Sequence, residues 1–88
     1  MPSDLYNCRV CGLPQDELPW GEDGASPTFE ICDCCGTEFG YEDTTPAAAA
    51  RARQKWLANG AGWFLPKHRP ETWNLEAQLQ GIPADFCS

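Results

Sequence analysis

Two copies of one short pattern, Cys8-Arg9-Val10-Cys11-Gly12 and Cys32-Asp33-Cys34-Cys35-Gly36, constrain this chain more than anything else in it. Each reads Cys-x-x-Cys-Gly, and about twenty residues separate the pairs, a ligand spacing typical of metal sites. Two thiolates on a tight turn can bind one ion, and the Gly after the second Cys lets the chain bend without a side-chain clash. Backbone N–H groups of such a turn can point at the sulfurs and offset their charge. Together the two turns predict one tetrahedral site made by Cys8, Cys11, Cys32 and Cys35. The expected cofactor is a single structural Zn²⁺, with iron as the alternative. Four protein thiolates leave no open position for water, which argues against a metallohydrolase.

Length explains why such a chain wants an ion. With 88 residues it is one domain, small for a self-sufficient core. A chain this short removes only roughly 60–65% of its unfolded surface from water. Metal binding contributes roughly 10–16 kcal/mol in zinc-finger peptides, against about 5–15 kcal/mol of net stability for a whole domain. The six cysteines could instead form disulfides in a secreted protein. Against this, Met1-Pro2-Ser3-Asp4 is followed by no basic segment and no apolar run, so no signal peptide is expected. Adjacent Cys34 and Cys35 also suit a metal knuckle better than two independent bridges. No stretch approaches the ~20 apolar residues of a membrane span, so no membrane association is expected. A reducing cytoplasm is the natural setting.

The net charge is −7 and unevenly spread. Residues 1–45 hold ten acids against Arg9 alone, whereas residues 46–88 hold three acids and five bases. An acidic metal lobe repels phosphate, so nucleic-acid binding is not expected. Solubility of a small protein also accounts for the acids.

In chain order, Leu5-Tyr6-Asn7 reads as a short strand leading into the first knuckle. Residues 13–27 are rich in Pro, Gly and acids and read as an irregular loop, with Trp20 folding back as a lid or serving as a partner contact. Thr28-Phe29-Glu30-Ile31 alternates like a half-buried strand with Phe29 and Ile31 on one face. Thr37 to Glu42 reads as a third strand with Phe39 and Tyr41 together. A helix follows: Thr45 suits the N-cap, Pro46 the first helical position, and Asn59-Gly60 the stop. Ala48, Ala49, Ala52 and Trp56 fall on one face, and Arg51, Gln54, Lys55 and Ala58 opposite. Asn74 caps a short helix from Leu75 to Gln80, with Leu75 and Leu79 facing inward. Ile82 and Phe86 pin the tail.

These pieces predict a small α+β metal-bound fold. A zinc-ribbon or rubredoxin-like three-stranded antiparallel sheet with two knuckles spans residues 1–44. A helical lobe, residues 45–88, packs on it within a single structural domain.

Cys34 stands as an alternative ligand to Cys35, a redox thiol or a filler, while Cys87 reads as a tail residue. His68 reads as a solvated loop residue, with a general base or fifth ligand as the sharper alternative. Trp56, Trp63, Phe64 and Trp73 read as core or as a docking patch. Trp20, Trp63 and Phe64 are the candidate interaction surface. No triad or paired carboxylates are visible, so no enzyme is expected.

The pattern Tyr6-Asn7-Cys8-x-x-Cys11-Gly12, Phe29-Glu30-Ile31-Cys32-x-Cys34-Cys35-Gly36 and Phe39-Gly40-Tyr41-Glu42-Asp43 resembles the bacterial small cysteine-rich proteins of the CPCC type. The later run Arg53-Gln54-Lys55-Trp56-Leu57-x-Asn59-Gly60-Ala61-x-Trp63, with Arg69-Pro70 and Trp73-Asn74, is similar to the C-terminal extension of some members. The resemblance implies a zinc-binding protein and carries no activity. The expected function is a structural-zinc module that recognises another protein; the alternative is a rubredoxin-like electron carrier with iron in the same site.

Overall fold

A computed structural model describes residues 4–86. Each cysteine pair closes its own hairpin, and the two hairpins repeat one hydrogen-bond pattern. In the first, the Cys8 amide donates to the Leu13 carbonyl at 3.0 Å and the Gly12 amide to the Cys8 carbonyl at 2.9 Å. In the second, the Cys32 amide donates to Thr37 at 2.9 Å and the Gly36 amide to Cys32 at 3.0 Å.

The expected three-stranded ribbon does not form: among the described residues there is no strand, only the isolated antiparallel bridges Asn7–Pro14 and Ile31–Glu38. The reason lies in what flanks each knuckle. Leu5 and Tyr6 belong to a 3₁₀ turn, Asp4–Tyr6, rather than to a strand. Past the Asn7–Pro14 bridge the pairing runs one bond further, from the Gln15 amide to the Tyr6 carbonyl at 2.8 Å, before that turn takes the chain away. On the second hairpin Phe29 adopts a left-handed φ of 63° and Gly40 one of 97°, so pairing stops just beyond the Phe39-to-Glu30 hydrogen bond. Of the expected strands' donors, the Thr28 amide is used by the Pro19 carbonyl of the preceding loop and the Tyr41 amide turns back to Glu38 at 3.1 Å.

The facing of these segments also differs from expectation. Phe39 and Tyr41, expected on one side, separate into a buried and an exposed residue, while Phe29 and Ile31, expected to share a face, are both exposed, at 61% and 44%. Alternation predicts a face only where the backbone is extended, and the left-handed turn at Phe29 breaks it.

The helices follow their local signals. Helix α1 spans Pro46–Ala58, and the Thr45 hydroxyl accepts from the Ala48 amide at 3.1 Å. Helix α2 spans Leu75–Leu79, with the Asn74 side chain accepting from the Ala77 amide at 2.9 Å. Ala49 and Trp56 of α1 are buried as expected, and so is Arg53, which no periodicity singled out. Two further 3₁₀ turns, Pro66–His68 and Ala84–Phe86, complete the elements.

The core is built on sulfur. Cys8, Val10, Cys11, Cys32, Cys34 and Phe39 cluster with Ala49, Trp56 and Ala61, and Trp63, Trp73, Leu75, Leu79 and Phe86 pack against them. The second half touches both knuckles. Phe64 and Leu65 amides donate to the Cys34 and Asp33 carbonyls, each at 2.9 Å, and the Asn7 side chain donates to the Gly81 carbonyl at 2.7 Å.

The irregular loop is tied down by one buried side chain. Asp43 is fully buried and accepts from the Trp20 indole at 2.7 Å and from the Gly40 amide at 2.8 Å. The Arg9 guanidinium lies 4.0 Å from the Trp20 ring centroid and 4.4 Å from that of Phe86, and donates to the Asp43 and Gly24 carbonyls. Asp43→Ala leaves two donors unmet and is expected to cost about 2–4 kcal/mol, read as a lower urea midpoint of metal-loaded protein. An unchanged midpoint would show that the loop is held by other contacts.

Candidate metal centre

The site is assembled from two short turns rather than from a sheet. In each turn the second cysteine is followed by a glycine in the left-handed region, Gly12 at φ 87° and Gly36 at φ 77°. At Gly12 space is as restrictive as φ: a Cβ there would lie 2.2 Å from the Gln78 carbonyl oxygen. Gly12→Ala should therefore cost at least about 2–3 kcal/mol by strain and forced displacement of α2. Thermal melts check this, with Gly60→Ala as the comparison, since nothing lies within 4 Å of a Cβ at that position.

Cys8, Cys11, Cys32 and Cys35 converge so that their sulfurs all lie within 4.8 Å of one another. The Cys8–Cys35 sulfurs are 3.7 Å apart and the Cys11–Cys32 sulfurs 3.6 Å. A tetrahedral ion with bonds of about 2.3 Å to sulfur requires edges of about 3.8 Å. The donor set and its spacing thus fit one four-coordinate ion. Three of the four cysteines are buried and Cys35 is half-buried, so the site is nearly closed to water.

Electrostatics favour a cation here. Burial pushes the Cys8 thiol up, while proton sharing with Cys32 raises Cys11 and lowers Cys32. By themselves these sulfurs cannot all be thiolates; a divalent cation removes the conflict by replacing the protons. Neutral donors add to it. The Val10 amide reaches the Cys8 sulfur at 3.4 Å and the Gln15 amide the Cys32 sulfur at 3.6 Å.

Cys34 stands outside the four-sulfur group. It is fully buried, and its sulfur accepts from the Gln78 side chain at 3.3 Å. Gln78 also donates to the Cys11 carbonyl at 3.3 Å and accepts from the Trp73 indole at 2.7 Å, so α2 is latched to both knuckles by one amide. Neither Gln15 nor Gln78 carries a sequence signal, because both act across the chain rather than within a motif. Cys87 lies outside the described residues. His68 is also apart from the sulfur group; its Nδ1 pairs with the Asp33 carboxylate at 2.8 Å, an exposed contact worth about 0–1 kcal/mol.

Of the candidate interaction residues, Trp20 is buried beneath Arg9, Trp63 is half-buried with its ring edge-on to Trp73 at 5.7 Å, and Phe64 is 55% exposed. No helix among the described residues is long and apolar enough to cross a membrane.

No family model matches the chain, and no solved structure matches it. Two curated relatives do. The uncharacterized protein YoaQ of Bacillus subtilis (strain 168) is 36% identical over 81% of this chain and 73% of its own length. The uncharacterized protein YozI of the same organism is 35% identical over 76% of this chain and 69% of its own length. With four clustered cysteines fitting a small cysteine-rich family, this chain belongs to the same family as YoaQ and YozI.

Proposed function

We propose that this protein holds one structural Zn²⁺ on Cys8, Cys11, Cys32 and Cys35, as the CPCC-type resemblance implies, and works as a binding module for another protein. The observation that supports it is the closed tetrahedron of sulfurs at 3.6–3.7 Å along two edges. Four ligands from the protein saturate Zn²⁺, whose contribution when bound is to fix the two turns against each other. The chain's own residues do the rest: Gly12 and Gly36 shape the turns, Gln15 and the Val10 amide face the sulfurs, and Gln78 latches α2 over them.

Native mass spectrometry tests the metal: one zinc per chain and a colourless protein are expected. Red protein carrying one iron would shift the reading to electron transfer. Photo-cross-linking in the native host tests the module, with one reproducible protein adduct expected; no adduct above background would end it.

A further inference from the structure

We infer that the second hairpin, around Phe29 and Ile31, is the docking surface of this module, and that its partner is a basic protein segment in which lysine or arginine alternates with apolar residues. The inference rests on the binding-module reading. Phe29 is 61% exposed although its backbone is held at φ 63°, a conformation that bulky residues rarely adopt. A ring kept outward at such a cost is characteristic of a functional position. The ring stands against Gly40, where an added Cβ would come within 2.8 Å of it, so its place is fixed rather than free to collapse inward.

Beside it lies a cleft of about 290 Å³ whose apolar lining includes Ile31 and Phe39. Asp16, Glu17, Glu30 and Asp33 stand around it, and no lysine or arginine lines it. Arg9, the one base in residues 1–45, is turned away into its stack with Trp20 and Phe86. An arginine or lysine stem can lie along the exposed Ile31 while its head meets the Asp16, Glu17 and Glu30 carboxylates. The neighbouring apolar side chain of the segment then covers Phe29. Charge complementarity thus selects the partner's chemistry as basic. A second copy of this chain is the competing occupant, since Arg51 and Lys55 line a depression with Tyr41 and Glu42 at the far edge of the hairpin.

The test is fluorescence anisotropy of zinc-loaded full chain with a short labelled peptide alternating lysine and leucine, against the same peptide with glutamate for lysine. The basic peptide should bind, weaken with salt, and weaken at least about tenfold on Phe29→Gly and on Glu30→Lys. Phe29→Gly keeps the left-handed backbone accessible, so its zinc content and melt should stay close to wild type. Leu57→Ser, a partly exposed apolar position on α1, should bind as wild type does. Equal affinity for both peptides, no binding, or binding indifferent to both hairpin substitutions overturns the proposal. A wild-type dimer in sedimentation that the same substitutions dissociate also overturns it, in favour of a second copy. An in-cell adduct that survives Phe29→Gly sinks this surface and leaves the module standing, whereas absence of any adduct sinks the module itself.

Discussion

Stripping the ion from the metal-loaded protein with a chelator, or removing one ligand as Cys11→Ser, is expected to unfold both knuckles and the packing built on them. Cys8, Cys11 and Cys32 are fully buried members of the core, so the sulfurs serve as ligands and interior at once. Without the ion, the sulfurs crowd in pairs at 3.6–3.7 Å with nothing to bind the four of them together. The loss expected is the roughly 10–16 kcal/mol that zinc contributes to small domains, which matches or exceeds a whole domain's stability of about 5–15 kcal/mol. Trp56 and Trp20 are buried and Trp63 and Trp73 pack on the sulfur core, so near-ultraviolet circular dichroism should collapse with the metal. Acid acts in the same direction, because protons compete with the ion for sulfur. Cys34→Ser should retain one ion per chain and lose only the Gln78 contact and some packing, about 1–2 kcal/mol. A cooperative melt of Cys11→Ser near that of wild type would overturn the metal-dependent core.

The second large effect is expected at Arg53. Its side chain is buried, and its guanidinium donates to the Val10 carbonyl at 2.7 Å, the Arg9 carbonyl at 2.9 Å and the Phe86 carbonyl. One residue of α1 therefore joins the first knuckle to the C-terminal turn, using a planar fork that matches several acceptors at once. Arg53→Met keeps much of the apolar stem but strands buried carbonyls, so a loss of about 3–5 kcal/mol is expected in urea denaturation with excess zinc. Arg53→Lys should recover only part, because an ammonium is a point donor. Arg51→Met, on the exposed face of the same helix, should fall within about 0.5 kcal/mol of wild type. An Arg53→Met midpoint equal to wild type would refute the bridge.

Residues that act on their near neighbours were readable in advance. The cysteine spacing pointed to Cys8, Cys11, Cys32 and Cys35, and the structure brings their sulfurs within 4.8 Å. Thr45-Pro46 and Asn74 start α1 and α2 where capping chemistry places them. The expected sheet does not form because local alternation suggests a strand in each arm, whereas strands exist only if distant arms supply partners. Arg53 falls on neither of the two faces that periodicity marks on α1, and an arginine there is usually exposed. Its burial depends on carbonyls of Arg9, Val10 and Phe86 arriving from elsewhere in the chain.

The sequence by itself determined the two metal-type turns, the helices and the uneven charge, because turn and cap energies are settled within a few residues. Only the tertiary structure decided that Asp43 anchors the Trp20 loop, that Gln78 closes over the knuckles, and that Phe29 faces outward. Those outcomes depend on which groups meet after the chain returns on itself, and with so little apolar interior a few buried polar contacts settle the arrangement.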